Sequence, residues 1–415
     1  MSRRWAYGWG AWLSCLLSGG VLAQFVSGDW VERSEARVQE HRTTPVAFLV
    51  LDAEGKLAPN ATIRLEQLEH AFRLGFIAHG DLPAKYNAEA EVWRTFNAVS
   101  LEKLTTWRQM QPDGPESFSR EAVDRAIDTA RSVGWGVRWG SLASADTFDL
   151  PDWVVPLRGE ALFEAWRGYS NRIADAYGPE LIDIDLAEET LDHDRLSPAM
   201  IRLIAQDWRA VRPDLPSRLR YEQVVAGSRT FAAVEAMDGV LKQRLGIEGF
   251  TIDQAFPPRA VAQDLLEPAV QRLSRFGRPI TVGSLEIGGA HAIETAVNTE
   301  TVLRTLFADP MITGIYFSGL SPEEVSDPSA AVFDEQGEPT AVGRTIDRLF
   351  RETWWTDTTL TSDKLGKAQA RVYRGRYRVT ATLPDGSSVV TTLSLLNRET
   401  DPTEIVLMPV AAVDE

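Results

Sequence analysis

The chain has 415 residues, 44% of them hydrophobic and 25% charged. This length allows one large domain and a smaller one, and this composition excludes disorder as the main state. The formal charge of −16 argues against nucleic acid and anionic membrane as partners, because binding to either needs basic patches. A neutral polysaccharide or oligosaccharide partner meets no such objection.

Residues 1–23 have the pattern of a secretory signal peptide. Two arginines precede an apolar run, and cleavage is predicted after Ala23. An uncleaved membrane anchor is the alternative, but the run is shorter than the roughly 20 residues that a span needs. The single cysteine, Cys15, lies in this segment, so the mature chain would contain no disulfide. We expect a secreted or periplasmic monomer with no contact with a membrane after cleavage.

The next predicted elements are two strands at residues 46–51 and 61–67, which we interpret as a hairpin. From residue 72 onward, short β-branched or aromatic runs alternate with helical segments, as in parallel β/α units. Eight such runs occur, at residues 73–78, 98–101, 136–142, 181–187, 218–224, 249–254, 279–285 and 312–318. Eight units predict an α/β fold of the (β/α)₈ TIM-barrel type. A doubly wound open sheet is less favoured, because no glycine-rich dinucleotide loop follows an early strand.

The helical pattern stops after residue 356. Residues 371–383 and 387–395 predict a hairpin around the turn Pro384-Asp385-Gly386, and residues 403–408 predict a third strand. Three short strands bury little surface alone, so we expect them to pack with the N-terminal strands in a small accessory β-domain. The predicted organisation is a signal peptide (1–23), an N-terminal segment (24–71), a barrel (72–356) and a C-terminal β-segment (357–415).

Carboxylates follow two of the predicted barrel strands. Strand four ends in Glu188 and Glu189, and strand seven ends in Glu286. In TIM barrels the active site lies at the carboxyl ends of the strands, which places these acids around one rim. Two facing carboxylates are the usual machinery of glycoside hydrolysis, one delivering a proton and the other remaining ionised. Solvated rim acids are an equally supported explanation in a chain with 59 acidic residues.

Other chemistries have less support in the sequence. The five histidines show no ligand spacing, so we predict no metal, and we predict no cofactor. No Gly-x-Ser-x-Gly motif occurs, which argues against a serine hydrolase of the nucleophile-elbow type. Aromatic residues near the predicted strand ends could stack on pyranose rings, although core packing is the usual role of such residues. They are Trp107, Trp139, Trp153 and Tyr221.

Residues 96–107, Phe-Asn-Ala-Val-Ser-Leu-Glu-Lys-Leu-Thr-Thr-Trp, resemble the second-strand motif of glycoside hydrolase family 10, the endo-xylanase family. Residues 150–153 are similar to its Pro-x-Trp segment, and residues 177–189 to its run that ends in the acid/base glutamate. The resemblance covers nearly the whole mature chain. It implies a TIM barrel, retaining hydrolysis of a xylan-like polysaccharide, and Glu189 as the acid/base.

The chain also departs from the family pattern. Glu188 stands where the family has the asparagine before the acid/base, and Ser284 stands at the nucleophile position. Because side chains alternate along a strand, Glu286 would point to the same side as Ser284 and could attack from a shifted register. The predicted catalytic residues are therefore Glu189 and Glu286. The predicted substrate-binding residues are Glu102, Lys103, Trp107, Glu188, Tyr221, Gln223 and Ser284.

Two functions remain open at this point. The first is a secreted retaining glycosidase that uses Glu189 and Glu286 without a cofactor. The second is a non-catalytic polysaccharide-binding or cell-surface protein that keeps the barrel and has lost the nucleophile.

Overall fold

The computed structural model describes residues 28–80, 91–143, 149–188, 197–222, 225 and 229–409. Eight parallel strands close into a barrel in chain order, and the eighth strand pairs with the first from Gly314↔Arg73 to Phe317↔Phe76. The predicted fold class is confirmed, and each predicted run overlaps one strand. The strands are Arg73–Ile77, Ala98–Ser100, Gly136–Ser141, Leu181–Glu188, Ser217–Tyr221, Gly249–Phe256, Ile280–Ile287 and Ile312–Phe317.

Helices lie between the barrel strands, and several of them bury an apolar stripe. In Glu121–Val133 the buried residues Val123, Ala126, Ile127 and Ala130 recur at helical spacing, and Gly134 ends the helix at a φ of 80°. The longer described helices are Gly28–Arg42, Glu121–Val133, Gly159–Tyr177, Pro198–Val211, Arg229–Lys242, Gln263–Ser274, Ala292–Ala308 and Ala341–Asp347. Short helical segments lie at Glu91–Thr95, Trp107–Met110, Gly178–Glu180, Pro328–Ala330 and Arg348–Thr353. Within the described residues, no helix has the length and apolar character needed to cross a membrane.

Strands from both ends of the described chain form a two-sheet sandwich. One sheet has the order Lys367–Tyr373, Thr43–Val50, Thr403–Leu407, and the other Asp357–Thr361, Thr62–His70, Gly375–Thr382, Ser388–Leu395. Val46, Phe48, Ile63, Leu65 and Val379 are among the side chains buried in one cluster between the sheets. The C-terminal strands therefore pack with the N-terminal strands, as expected.

The N-terminal hairpin prediction is wrong. Thr43–Val50 pairs with Lys367–Tyr373 and Thr403–Leu407, whereas Thr62–His70 belongs to the opposite sheet. Both strands have alternating buried residues, and placing them in opposite sheets brings their two apolar sides together. Periodicity alone does not distinguish this arrangement from a hairpin.

The C-terminal hairpin is confirmed, but the run predicted at 371–383 spans two strands. The chain passes from one sheet to the other between Tyr373 and Gly375. A Cβ at Gly375 would lie 2.1 Å from the carbonyl oxygen of Glu69, so only glycine fits this close crossing. The turn that joins Gly375–Thr382 to Ser388–Leu395 contains Gly386 with a φ of 88°.

Candidate functional site

Charged side chains, rather than an apolar layer alone, fill the interior of the barrel. Strand four carries Asp183 and Asp185, and strand five carries Arg218 and Arg220, each pair two residues apart. Arg138 of strand three is fully buried, and the other four residues are at most 6% exposed. Because strand residues two apart share a face, these charges point to one side, toward each other.

The lower part of this ion network pairs each guanidinium with an aspartate. Arg138 donates through Nη2 to the Asp185 carboxylate and, at 3.3 Å, to Thr251 Oγ1. Arg218 donates through Nε to Asp183 Oδ1 at 2.6 Å. Paired charges can remain buried here because their neighbours replace the hydrogen bonds that water would supply.

The upper part centres on Arg220. Its Nη1 and Nη2 donate to the two carboxylate oxygens of Glu102 at 2.8 and 3.1 Å, and its Nε donates to Asp253 Oδ2 at 2.5 Å. Glu188 Oε1 lies 3.8 Å from Arg220 Nη1. The structure thus brings together the predicted residues Glu102 and Glu188, with Arg220 and Asp253 between them.

The two carboxylates on Arg220 differ in their protonation. Burial favours the neutral form of Glu102, but the bidentate bond to Arg220 and the nearby Arg138 outweigh it and lower the pKa of Glu102. Burial and the negative charge of Glu102 raise the pKa of Asp253 from 3.8 to about 7, against the opposing effect of Arg220. One guanidinium therefore does not keep both acids ionised.

Asp253→Asn is expected to lower the free energy of unfolding, relative to the natural chain, by more at pH 5 than at pH 8. Folded Asp253 keeps its proton up to about pH 7, whereas the unfolded chain releases it near pH 3.8. Stability therefore falls between these values as the pH rises, and asparagine removes this loss. Urea unfolding gives the free energy of unfolding of the variant relative to the natural chain at each pH. This relative value should differ by at least about 1 kcal/mol between pH 5 and pH 8. The exposed Asp175→Asn is the control, and an equal change in both variants would contradict the assignment.

Strand seven presents Ser284 and Glu286 on one face, as its period of two predicts. Both are half-buried, whereas Leu285 and Ile287 are buried. The Ser284 hydroxyl lies 2.7 Å from the Ser318 hydroxyl, at the ends of strands seven and eight. The Glu286 carboxylate accepts hydrogen bonds from the backbone N–H of Ser326, at 3.1 and 3.2 Å, and from its hydroxyl. The carboxylate thus interacts with the segment that follows strand eight.

Three of the four predicted aromatic platforms lie in the core, namely Trp107, Trp139 and Tyr221, and Trp153 is partly buried against it. Trp107 is 3% exposed, stacks on Tyr169 at a centroid distance of 5.0 Å, and donates through Nε1 to Gln111 at 2.8 Å. Tyr221 is 4% exposed and packs edge-on against Phe250. Stacking on a sugar requires an exposed ring face, so the structure contradicts a sugar-platform role for Trp107 and Tyr221.

The remaining predicted residues divide into two groups. Lys103 is exposed just after strand two. Glu189 and Gln223 lie outside the described residues, as does the predicted signal peptide at 1–23. Within the described part of the chain, no group of three or more histidine, cysteine or acidic side chains could hold a metal ion.

Sequence reasoning missed Arg138, Arg220 and Asp253. The available signal was the alternation of charge in neighbouring strands, Ile-Asp-Ile-Asp in strand four and Arg-Leu-Arg in strand five. Opposite charges repeated at period two on adjacent strands indicate an internal ion network. The motif residue Asn97, by contrast, is structural, since its side chain bonds to the backbone of His70, Phe72 and Leu74.

The barrel has the fold of glycoside hydrolase family 10 xylanases, so the resemblance seen in the motifs is confirmed at the level of the fold. Xylanase 10B from Thermotoga petrophila RKU-1, solved with xylobiose, is similar with a TM-score of 0.59 and 14% identity over 68% of this chain and 95% of that chain. Native xylanase 10B from Thermotoga maritima has a TM-score of 0.58 and 14% identity over 68% of this chain and 97% of that one. The family 10 xylanase from Thermobacillus composti has a TM-score of 0.57 and 17% identity over 67% and 96%.

No profile of a known protein family matches the chain. Among curated proteins, anti-sigma-I factor RsgI6 from Acetivibrio thermocellus is 22% identical over 373 residues. The match covers 88% of this chain and 48% of that protein, so the chain spans about half the length of this relative.

Proposed function

We propose that this protein is exported and binds a neutral polysaccharide, xylan or a related chain, across the mouth of its barrel without hydrolysing it. The observation that carries the proposal is Ser284, which stands at the position that the family resemblance assigns to the nucleophile and whose hydroxyl is paired with Ser318 at 2.7 Å. A retaining glycosidase needs a carboxylate there to form the glycosyl intermediate.

The residues around Arg220 offer hydrogen-bonding groups that suit a sugar chain. Glu188 lies 3.8 Å from the Arg220 guanidinium, and Glu102 is bonded to it through both oxygens. The Glu188 carboxyl group is suited to accepting hydrogen bonds from sugar hydroxyls, and exposed Lys103 is suited to donating them.

The comparisons are compatible with this function. Xylanase 10B from Thermotoga petrophila, a structural neighbour, was solved with xylobiose, which supports a sugar chain as the ligand of such a barrel. The curated relative that matches 88% of this chain is named as an anti-sigma factor and not as a hydrolase. Export through residues 1–23 would bring the barrel into contact with extracellular polysaccharide.

Binding and product release should be measured together on xylan, arabinoxylan, mixed-linkage glucan and algal polysaccharides. We expect one class of polymer to bind with no release of sugar. Lys103→Ala combined with Glu188→Ala should weaken binding by about tenfold, the effect of roughly 1.4 kcal/mol of lost hydrogen bonding. Lys242→Ala, on an exposed position of a barrel helix, is the matched control. Binding to no polymer, or unchanged binding by the double variant, would contradict the proposal.

Retaining hydrolysis by Glu189 and Glu286 is the second candidate. It is favoured by one observation, that Glu286 shares the half-buried face of strand seven with Ser284. Release of sugar that disappears in both Glu189→Ala and Glu286→Ala would replace binding by hydrolysis as the function. A crystal structure in which these two carboxyl groups lie about 5.5 Å apart would support the retaining mechanism.

A further inference from the structure

A cavity lies at the opposite end of the barrel from Ser284 and Glu286. Its volume is about 470 Å³, within the range of roughly 300–1,000 Å³ that is typical of small-molecule sites. Its walls come from the residues that precede barrel strands one, two and three, from the C-terminal helical segment and from the sandwich. We name it the basal pocket, and it is separate from the mouth because it adjoins the amino ends of the strands.

Indole rings form one part of the basal pocket. Trp135 and Trp355 are half-buried on its wall. Buried Trp93 stacks on Trp135 at a centroid distance of 5.8 Å, and His70 packs edge-on against Trp355 at 5.2 Å. Rings held in this way lose little conformational freedom when a ligand binds, and their apolar faces suit the C–H faces of sugar rings.

Arginines form the other part. The pocket is lined by exposed Arg94 and Arg376 and by Arg351, whose guanidinium lies 4.0 Å above the Trp355 ring centroid. The acidic residue on its wall is Glu69, 3.4 Å from Arg376. Three cations and one anion make the pocket positive in a chain whose net charge is −16. Burial lowers the pKa of the remaining ionisable group, His70, to about 4, so it is neutral at pH 7.

We propose that the basal pocket binds an acidic oligosaccharide that carries uronate carboxylates. The guanidinium fork recognises a carboxylate with two parallel hydrogen bonds, and the neighbouring indoles bind the ring that carries it. The protein therefore has two carbohydrate sites, a mouth for a neutral chain and a basal pocket for an acidic one. Binding at the basal pocket does not depend on the function proposed for the mouth.

Calorimetric titration of the full chain with trigalacturonate, and with its fully methyl-esterified form, tests this site. We expect trigalacturonate to bind at least tenfold more tightly than the uncharged ester. Arg94→Gln combined with Arg376→Gln should lower its affinity by at least tenfold, since both arginines are exposed and the variant should fold. Arg202→Gln combined with Arg272→Gln, on distant barrel helices, is the matched control and should bind normally.

Three results would overturn the proposal. They are equal binding of the charged and esterified sugars, unchanged affinity in the Arg94 and Arg376 variant, and absence of trigalacturonate binding. Sodium acetate at the same carboxylate concentration should not compete, and full competition by acetate would also overturn the proposal, because it would show a simple anion site.

Discussion

Replacing Arg220 with methionine is expected to lower the free energy of unfolding by about 3–5 kcal/mol at pH 7, the usual effect of removing one partner from a buried ion cluster. Arg220 is 6% exposed and donates three hydrogen bonds of 2.5–3.1 Å to Glu102 and Asp253. Burial by itself would lower the pKa of this guanidinium, but the surrounding carboxylates raise it well above its ordinary value. Methionine replaces the apolar stem of the arginine side chain, so the loss of charge dominates over a loss of packing.

Urea unfolding of the Arg220→Met variant measures this loss. The control is Arg167→Met, which removes a similar fork: Arg167 donates to the two oxygens of Asp207 at 2.7 and 3.2 Å on the surface. Exposed pairs contribute little because water screens them, so this control should change stability only slightly. Equal losses of stability in the two variants would show that the internal ion network contributes no more to stability than an exposed ion pair.

Ser284→Glu is expected to give the protein measurable hydrolysis of the polysaccharide that it binds. The substitution places a carboxylate at the position that the family resemblance assigns to the nucleophile, next to Ser318 at the ends of strands seven and eight. Ser284 is half-buried, so the longer side chain has access to solvent at the mouth. The rate should rise by about 10²–10⁴-fold, the range that one positioned catalytic group contributes.

The control for this gain is Ser284→Gln, which has nearly the same shape without the charge. Release of reducing sugar should increase in Ser284→Glu alone, and adding Glu189→Ala should abolish the increase, because retention requires both carboxyl groups. If folded Ser284→Glu releases no more sugar than Ser284→Gln, the missing nucleophile is not what limits hydrolysis.

Much of the barrel was predictable from the sequence because its signal is local. Runs that are buried on both faces recur between helical stripes, and all eight predicted runs overlap strands of the closed barrel. The C-terminal hairpin was predictable for a similar reason, since Pro384-Asp385-Gly386 is a strong turn between alternating strands. The pairing of Thr43–Val50 was not predictable, because its partners lie more than 300 residues later in the chain.

The candidate site likewise combines features that the sequence sets with features that only the tertiary structure sets. The sequence by itself determined that acids lie at the ends of strands four and seven and that Ser284 and Glu286 share a face, since both depend on residue identity and a period of two. The placement of Ser284 at the family's nucleophile position stays a prediction from the resemblance. Only the tertiary structure decided that Arg220 holds Glu102 and Asp253, and that Trp107 packs in the core. Those facts depend on which side chains meet across a closed barrel, where residues far apart in sequence share one buried volume and burial sets their charge.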